Sequence, residues 1–375
     1  MEILENRQPG LDAIRASDLA FHFGELIEGP IFDPRDFRGD PTRLDANLVG
    51  VVKGQPGLLL GREFAGKVDH GEGRLRSVEA KPVAMTERLV NIANRALGLV
   101  SDGTAMLLSM NDARSVDWTR QLRAQRPVAV FQHNRRIDRQ AVIVPLLTHH
   151  TYPSPSIPML DDRTALRDKA SRIVWRGTLR GTRPFDADYR FLMRVLREDH
   201  LPEAEAVALL AKFPRFALTM ATRQADFCDI GYVRSPDVAA AAARYPILEA
   251  GFRAPMRAAE QIASRYILAL DGNDWASNVY WAFNSNSLVI REASPWQAYG
   301  DNYFRPWVHF VPFDGGVADL ADKFAWCETH LPEAERMVAN ARAAWALLFD
   351  PTLHPARIRM VHEHYDTLFR RSIGG

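Results

Sequence analysis

The chain has 375 residues, 47% hydrophobic and 25% charged, with 47 Lys and Arg against 46 Asp and Glu and a formal charge of +1 at pH 7. That length favours two cores with a cleft between them, and the charge balance excludes a global field that would gather nucleic acid or an anionic membrane, so a basic site must be local. Two cysteines, Cys228 and Cys327, are too few for a disulfide framework and lack zinc-binding spacing.

From Met1 to Gly73 the text is rich in Gly, Pro and Asp, with β-like pieces at Ala20–Phe23 and Gly57–Leu60 between turn signals. Met1–Arg15 has no signal-peptide h-region, and no run of eighteen apolar residues occurs. A cytoplasmic protein is expected, at most peripheral at the inner face of a membrane. Over Pro82–Leu97, Met85, Leu89, Ile92 and Ala96 recur at helical spacing and predict an amphipathic helix. Ala105–Met110 and Pro127–Phe131 are short apolar runs that suit central strands. Three prolines between Thr148 and Asp162 forbid regular helix and place the domain crossing nearby.

Strand-like and helix-like segments then alternate, the pattern of a parallel βαβ sheet. Arg172–Trp175 reads as a strand, Ala187–Leu196 as a helix and Phe216–Met220 as a strand. The clearest unit is strand Tyr266–Leu270, the polar turn Asp271–Asp274, helix Trp275–Phe283 and strand Ser287–Ile290. His309–Phe313 reads as a further strand, and helices from Val317 to Phe349 cover the sheet. The expected organisation is an N-terminal domain over 1–160, a second over 161–350, and a C-terminal helix over 351–375 that packs back on the first.

Ligands of open α/β sheets bind beyond the carboxyl ends of strands, where backbone N–H groups and helix dipoles await an anion. Two places fit. In Arg172–Arg183 an apolar strand runs into Arg176, Gly177, Thr178, Arg180, Gly181 and Arg183: glycines let backbone approach a ligand, and guanidinium groups fork onto phosphate oxygens. The alternative is a solvated arginine face. The second place is Asp271, Gly272, Asn273, Asp274, Ser277 and Asn278, suited to a ribose or diphosphate, or else an ordinary cap with Asp274 starting the helix.

With these residues in view, the chain resembles glycosyltransferase family 90. The motifs are Trp175-Arg-Gly-Thr, Tyr266-Ile-Leu-Ala-Leu-Asp-Gly-Asn-Asp, Ser285-Asn-Ser-Leu-Val-Ile, Pro306-Trp-Val-His-Phe-Val-Pro312 and Asp319-Leu320, in family order across Arg172–Ala346. The resemblance, closest to its bacterial lipopolysaccharide-core and capsule-associated branch, implies an α/β GT-B fold, two Rossmann-like domains facing each other across a cleft. It also implies an inverting, metal-independent transfer from a UDP-sugar, with no cofactor beyond that donor, to a glycan or lipid-linked glycan. Asp112, at the end of the Ala105–Met110 strand, is the position where the family resemblance puts the catalytic base; a helix cap is the other reading. Two departures stand out. Asn278 occupies a position where eukaryotic O-glucosyltransferases carry arginine, and Ala298 one where an acidic residue is common. They keep open a non-catalytic nucleotide-sugar or glycan-binding protein. An NAD-dependent enzyme is disfavoured, because no G-x-G-x-x-G follows a strand.

Other strings carry less. Asp186-Ala-Asp188 has D-x-D spelling but reads as an acidic first turn. His362 and His364, two apart on a helix, point to different faces and read as surface residues rather than a metal pair. His149 and His150 adjoin extended chain, where alternate side chains diverge. Trp275, Trp281, Trp296 and Trp307 read as core rather than sugar platforms.

Overall fold

The computed structural model describes residues 11–39, 47–55, 59–61, 64–71, 74–81, 84–109, 116–146, 149–181 and 189–374. The chain forms two compact units, Met1–Thr148 with Asp350–Gly375, and His149–Phe349. Both belong to the α/β class.

The first unit contains α1 (Leu11–Phe23), β1 (Leu48–Val52), β2 (Leu59–Leu60), β3 (Val68–Gly71), β4 (Arg74–Ser77), α2 (Ala84–Leu97), β5 (Ala105–Ser109), α3 (Trp118–Leu122), β6 (Val130–Gln132), β7 (Asn134–Arg136) and β8 (Val142–Ile143). Its sheet runs β2-β1-β5-β6-β8, with β1 antiparallel to β5 and β5, β6 and β8 parallel. The anticipated strand at Ala20–Phe23 is instead the last turn of α1. The buried side of that helix carries Asp18 and His22 one turn apart beside Phe23, so its inward face is not an apolar stripe and periodicity misses it.

The C-terminal helix Leu353–Ile373 completes this core. Val361, Tyr365, Leu368 and Phe369 join the cluster formed by β1, β5, β6 and α2. The Tyr365 hydroxyl donates to Ala105 O at 2.6 Å, and Arg357 Nε donates to Asp18 Oδ2 at 2.7 Å, both side chains being 3% exposed. His362 and His364 are not surface residues: His362 is buried with Nδ1 2.7 Å from Ile358 O, and His364 Nε2 lies 2.8 Å from Ile27 O. They point apart, as residues two apart on a helix must.

The second unit contains β9 (Ala170–Gly177), α4 (Tyr189–Glu198), α5 (Glu203–Leu210), α6 (Pro214–Thr222), β10 (Cys228–Tyr232), α7 (Pro236–Ala242), α8 (Ala258–Gln261), β11 (Ser264–Ala269), α9 (Val279–Ala282), β12 (Leu288–Glu292), β13 (Trp296–Ala298), β14 (Val311–Phe313), α10 (Val317–Thr329) and α11 (Leu331–Leu348). Its five-stranded sheet has the order β10-β9-β11-β12-β14, and every pairing is parallel. Both faces are covered, so β11 and β12 are almost wholly buried.

Two sequence assignments are corrected here. Phe216–Met220 lies in α6, and the strand of that region is β10. The run is too short for periodicity to separate strand from buried helix, whereas Pro214 at the first helical position marks the start. The helix anticipated over Trp275–Phe283 is one turn, Val279–Ala282, and Asn278 rather than Asp274 precedes it. Gly272–Asn278 is loop, held by Gly272 N donating to Asp274 O at 2.9 Å and Ala276 N donating to Asp271 Oδ1 at 3.2 Å.

The Ser285–Ser287 motif closes the amino edge of this sheet. Lys169 Nζ donates to Asp162 Oδ2 at 2.6 Å and to Ser287 Oγ at 2.8 Å, and the same carboxylate accepts from Asn286 N at 2.7 Å. These residues fasten strand starts, far from the strand ends where a ligand would sit. Among the described residues, no helix is long and apolar enough to cross a membrane.

Candidate functional site

Because all five strands of this sheet are parallel, their carboxyl ends share one edge. From β9 the chain passes to β10 on one side, then crosses to β11 on the other, so the direction of winding reverses between β9 and β11. Such a switch point leaves a crevice outside the strand ends. The loops that flank it are Thr178–Gly181 and Leu270–Asn278, the two places singled out by sequence.

They meet in backbone contact. Gly181 has φ +98°, and a Cβ there would lie 2.2 Å from Gly272 O. Only glycine permits both that dihedral and that approach. Arg215, in the first turn of α6, bridges the two loops: its Nη1 donates to Thr178 O at 2.8 Å, its Nη2 to Leu270 O at 2.6 Å and its Nε to Asp271 O at 3.0 Å. The guanidinium lies 5.1 Å from the Trp175 ring centroid, and a Cβ on Gly272 would stand 3.2 Å from it. A cation in the first turn of a helix opposes the dipole, so these three charge-assisted bonds are what hold it there.

The expected ligand residues fall into three groups. Gly177 and Thr178 continue the end of β9, while Arg180 is exposed and close enough to Tyr189 to act on its electrostatics. Burial, followed by Asp237, pushes the Tyr189 phenol well above its usual range; its hydroxyl donates to Asp237 Oδ2 at 2.9 Å. Arg176 turns elsewhere. Its Nη2 donates to Asp229 Oδ1 at 2.6 Å, its Nη1 to Asp229 O at 2.7 Å and its Nε to Ala254 O at 3.0 Å. Side chains alternate along a strand, and this one faces β10 rather than the crevice.

In the second loop Asp271 is buried and its N–H donates to Glu292 Oε2 at 3.0 Å. Asn278 Nδ2 donates to Leu268 O at 2.9 Å, so this amide fastens the loop to β11. Ser277 is exposed, and Asn273 and Asp274 are half-buried at the tip. Asp112, Arg183, Asp186 and Asp188 lie outside the described residues. Trp275, Trp281 and Trp296 are buried as expected; Trp307 is 44% exposed. His150 is buried between Tyr280 and Tyr299, with ring centroids 4.7 and 5.6 Å away.

Three residues at this edge escape sequence reading. Arg215 was hidden by taking its helix for a strand, although Pro214 signalled the start. Glu292 ends β12, two positions beyond the anticipated strand; it is buried, and its Oε1 approaches within 3.3 Å of a Cβ placed on Gly315. Arg291 beside it donates to Asp301 Oδ1 at 2.7 Å and packs 4.9 Å from the Trp275 ring. A buried Arg-Glu pair closing an apolar strand is the signal that could have found both.

Residues 237–346 match the sequence profile of Glycosyl transferase family 90. The matched segment takes in α7 through most of α11, hence the Leu270–Asn278 loop, Arg291 and Glu292. The β9 loop and Arg215 precede it. Among curated proteins, the chain is 28% identical over 182 residues to the O-glucosyltransferase LpsA of Dichelobacter nodosus, covering 48% of this chain and 45% of that protein. It is 29% identical over 73 residues to protein O-glucosyltransferase 2 of Danio rerio, 20% of this chain and 15% of the relative. The chain thus spans less than half the length of these relatives. Among solved structures it is similar, at 13% identity and a TM-score of 0.26 over 53% of this chain and 48% of that one, to Anabaena HepE in complex with UDP and glucose.

Proposed function

We propose that the chain is a glycosyltransferase that takes a sugar from a UDP-sugar held at the carboxyl edge of the second unit and passes it, with inversion, to a hydroxyl of a glycan or lipopolysaccharide-type acceptor. The observation that carries the reading is the meeting of Gly181 and Gly272 under the Arg215 guanidinium at the winding switch point. A diphosphate there faces two backbone turns, Arg180 and the outer face of Arg215. Fixed positive charge of this kind stabilises the leaving group as its charge grows, and does so without a metal ion. Asn278 and Arg176, spent on protein acceptors, take no part in the contact; their work is to fix the loops.

The pattern of relatives, O-glucosyltransferases in both cases, supports glucose as the first donor to try. Inversion by single displacement requires a base opposite the departing nucleotide, and Asp112 takes that role in this reading. Replacing Asp112 by Asn should lower turnover with UDP-glucose by about a hundred- to ten-thousand-fold while UDP affinity, measured by calorimetry, stays within about twofold. Full turnover in that variant moves the base elsewhere; lost UDP affinity turns Asp112 into a binding residue.

A further inference from the structure

Among the described residues of the second unit, Trp307 is the one large side chain that stands in a left-handed backbone conformation, with φ +61°. Bulky residues avoid that region, and they persist there only when the surrounding structure imposes it. The imposing contacts are in the loop itself. Trp307 N donates to Phe310 O at 2.8 Å, His309 N to Arg305 O at 3.0 Å, and Arg305 N to His309 Nδ1 at 2.8 Å. A buried His309 and stacked Phe283 and Phe304 rings anchor the loop beneath. The outcome of this constraint is an indole 44% exposed, not a buried one.

Around it is a shelf of rings and polar groups. Trp326, on α10, meets Trp307 edge-on at 5.0 Å, and His330 lies flat on Trp326 at 4.7 Å with an interplanar angle of 7°. His330 is held in that plane through Nδ1, 2.9 Å from Trp326 O. Lys323 Nζ stands 5.4 Å from the Trp307 ring centroid, and Arg305 is exposed beside it. The loop precedes β14 and α10 ends here, so the shelf is at the amino edge of the sheet. The crevice described above is at the opposite edge, a strand length away.

An aromatic face bordered by hydrogen-bond donors matches one chemistry well. The C–H face of a pyranose ring is apolar, its rim is hydroxylated, and its axial hydrogens are drawn to a π-face. We infer that Trp307, Trp326 and His330 form a second, non-catalytic binding site for neutral pyranosyl oligosaccharide, where an extended glycan rests away from the transfer site. The choice of a glycan over an apolar peptide rests on the transferase reading; the ring geometry does not.

The test titrates the full chain with cellohexaose and maltohexaose up to 20 mM, following tryptophan fluorescence and calorimetry, and titrates UDP in parallel. Wild type should bind at least one oligosaccharide in the millimolar range. Trp307→Gly should weaken that binding at least about tenfold and leave UDP affinity unchanged, and Trp307→Tyr should retain a part. Because glycine is at ease at positive φ, Trp307→Gly should melt no lower than wild type, whereas an indole kept for packing would cost stability when removed. Wild type that binds neither sugar, equal binding by Trp307→Gly, or a lower melting point for that variant overturns the inference. Failure to bind UDP in every protein would instead indict the transferase reading.

Discussion

The two units differ in the ionisable groups they bury. In the first, burial lowers His22 and His362 to about 4, so two imidazoles are buried neutral beside the Arg357–Asp18 pair. In the second, charged arginines stay at the edge of the sheet and are held by carbonyls and carboxylates, as Arg215 and Arg176 are. A neutral buried group stabilises a core and offers an anion nothing; a fixed cation at strand ends offers it a partner. The difference teaches where ligand chemistry is to be sought.

Acidification should separate the units most. His22 faces Asp18, Arg357 and Arg135, and His362 faces Arg95. Each histidine has a folded value below its unfolded value near 6.5, so the unfolded chain binds more protons between the two. Their stabilisation is complete above about pH 6.5 and is lost as the pH falls toward 4, on the order of 3 kcal/mol for each. Hydrogen exchange at pH 7 and pH 4.5 should show β5, β6 and the C-terminal helix losing protection first. Equal loss in β9 and β11 would erase the contrast.

Gly181→Ala sharpens it from the other side. A Cβ 2.2 Å from Gly272 O must push the loops apart, so the second unit should lose about 2 kcal/mol and UDP affinity should fall about tenfold, with the first unit untouched. Unchanged UDP affinity in a folded Gly181→Ala protein would detach the loop contact from nucleotide binding. The smallest expected difference lies between two arginines of one motif. Arg180→Ala should weaken UDP binding by roughly fivefold through a lost exposed phosphate contact. Arg176→Ala should instead lower the melting point by leaving Asp229 with only the more distant Arg172 beside it, with UDP affinity nearly constant. The reverse pattern would return Arg176 to the phosphate.

What was legible follows the same division. Ala105–Met110, Arg172–Trp175, Tyr266–Leu270 and Ser287–Ile290 announce strands by short, largely apolar runs, and the structure has strands at each of these places. The helix α1 did not announce itself, because Asp18 and His22 interrupt its inward face. The two glycine loops were visible as composition after a strand, yet the direction of each side chain was not. Whether an arginine at Arg176 faces a crevice or a neighbouring strand depends on the pleat and on Asp229, 53 residues further on. Arg215 likewise acquires meaning only when α6 docks against β11 ends. Tertiary partners at long sequence separation decide such cases, and local patterning does not encode them.

A crystal structure of the full chain with UDP tests the central claim most directly. The account predicts the diphosphate within hydrogen-bond distance of the Thr178–Gly181 and Asn273–Ser277 backbone, beside Arg180 and Arg215. A diphosphate bound at the amino edge of that sheet, or in the first unit, would contradict it.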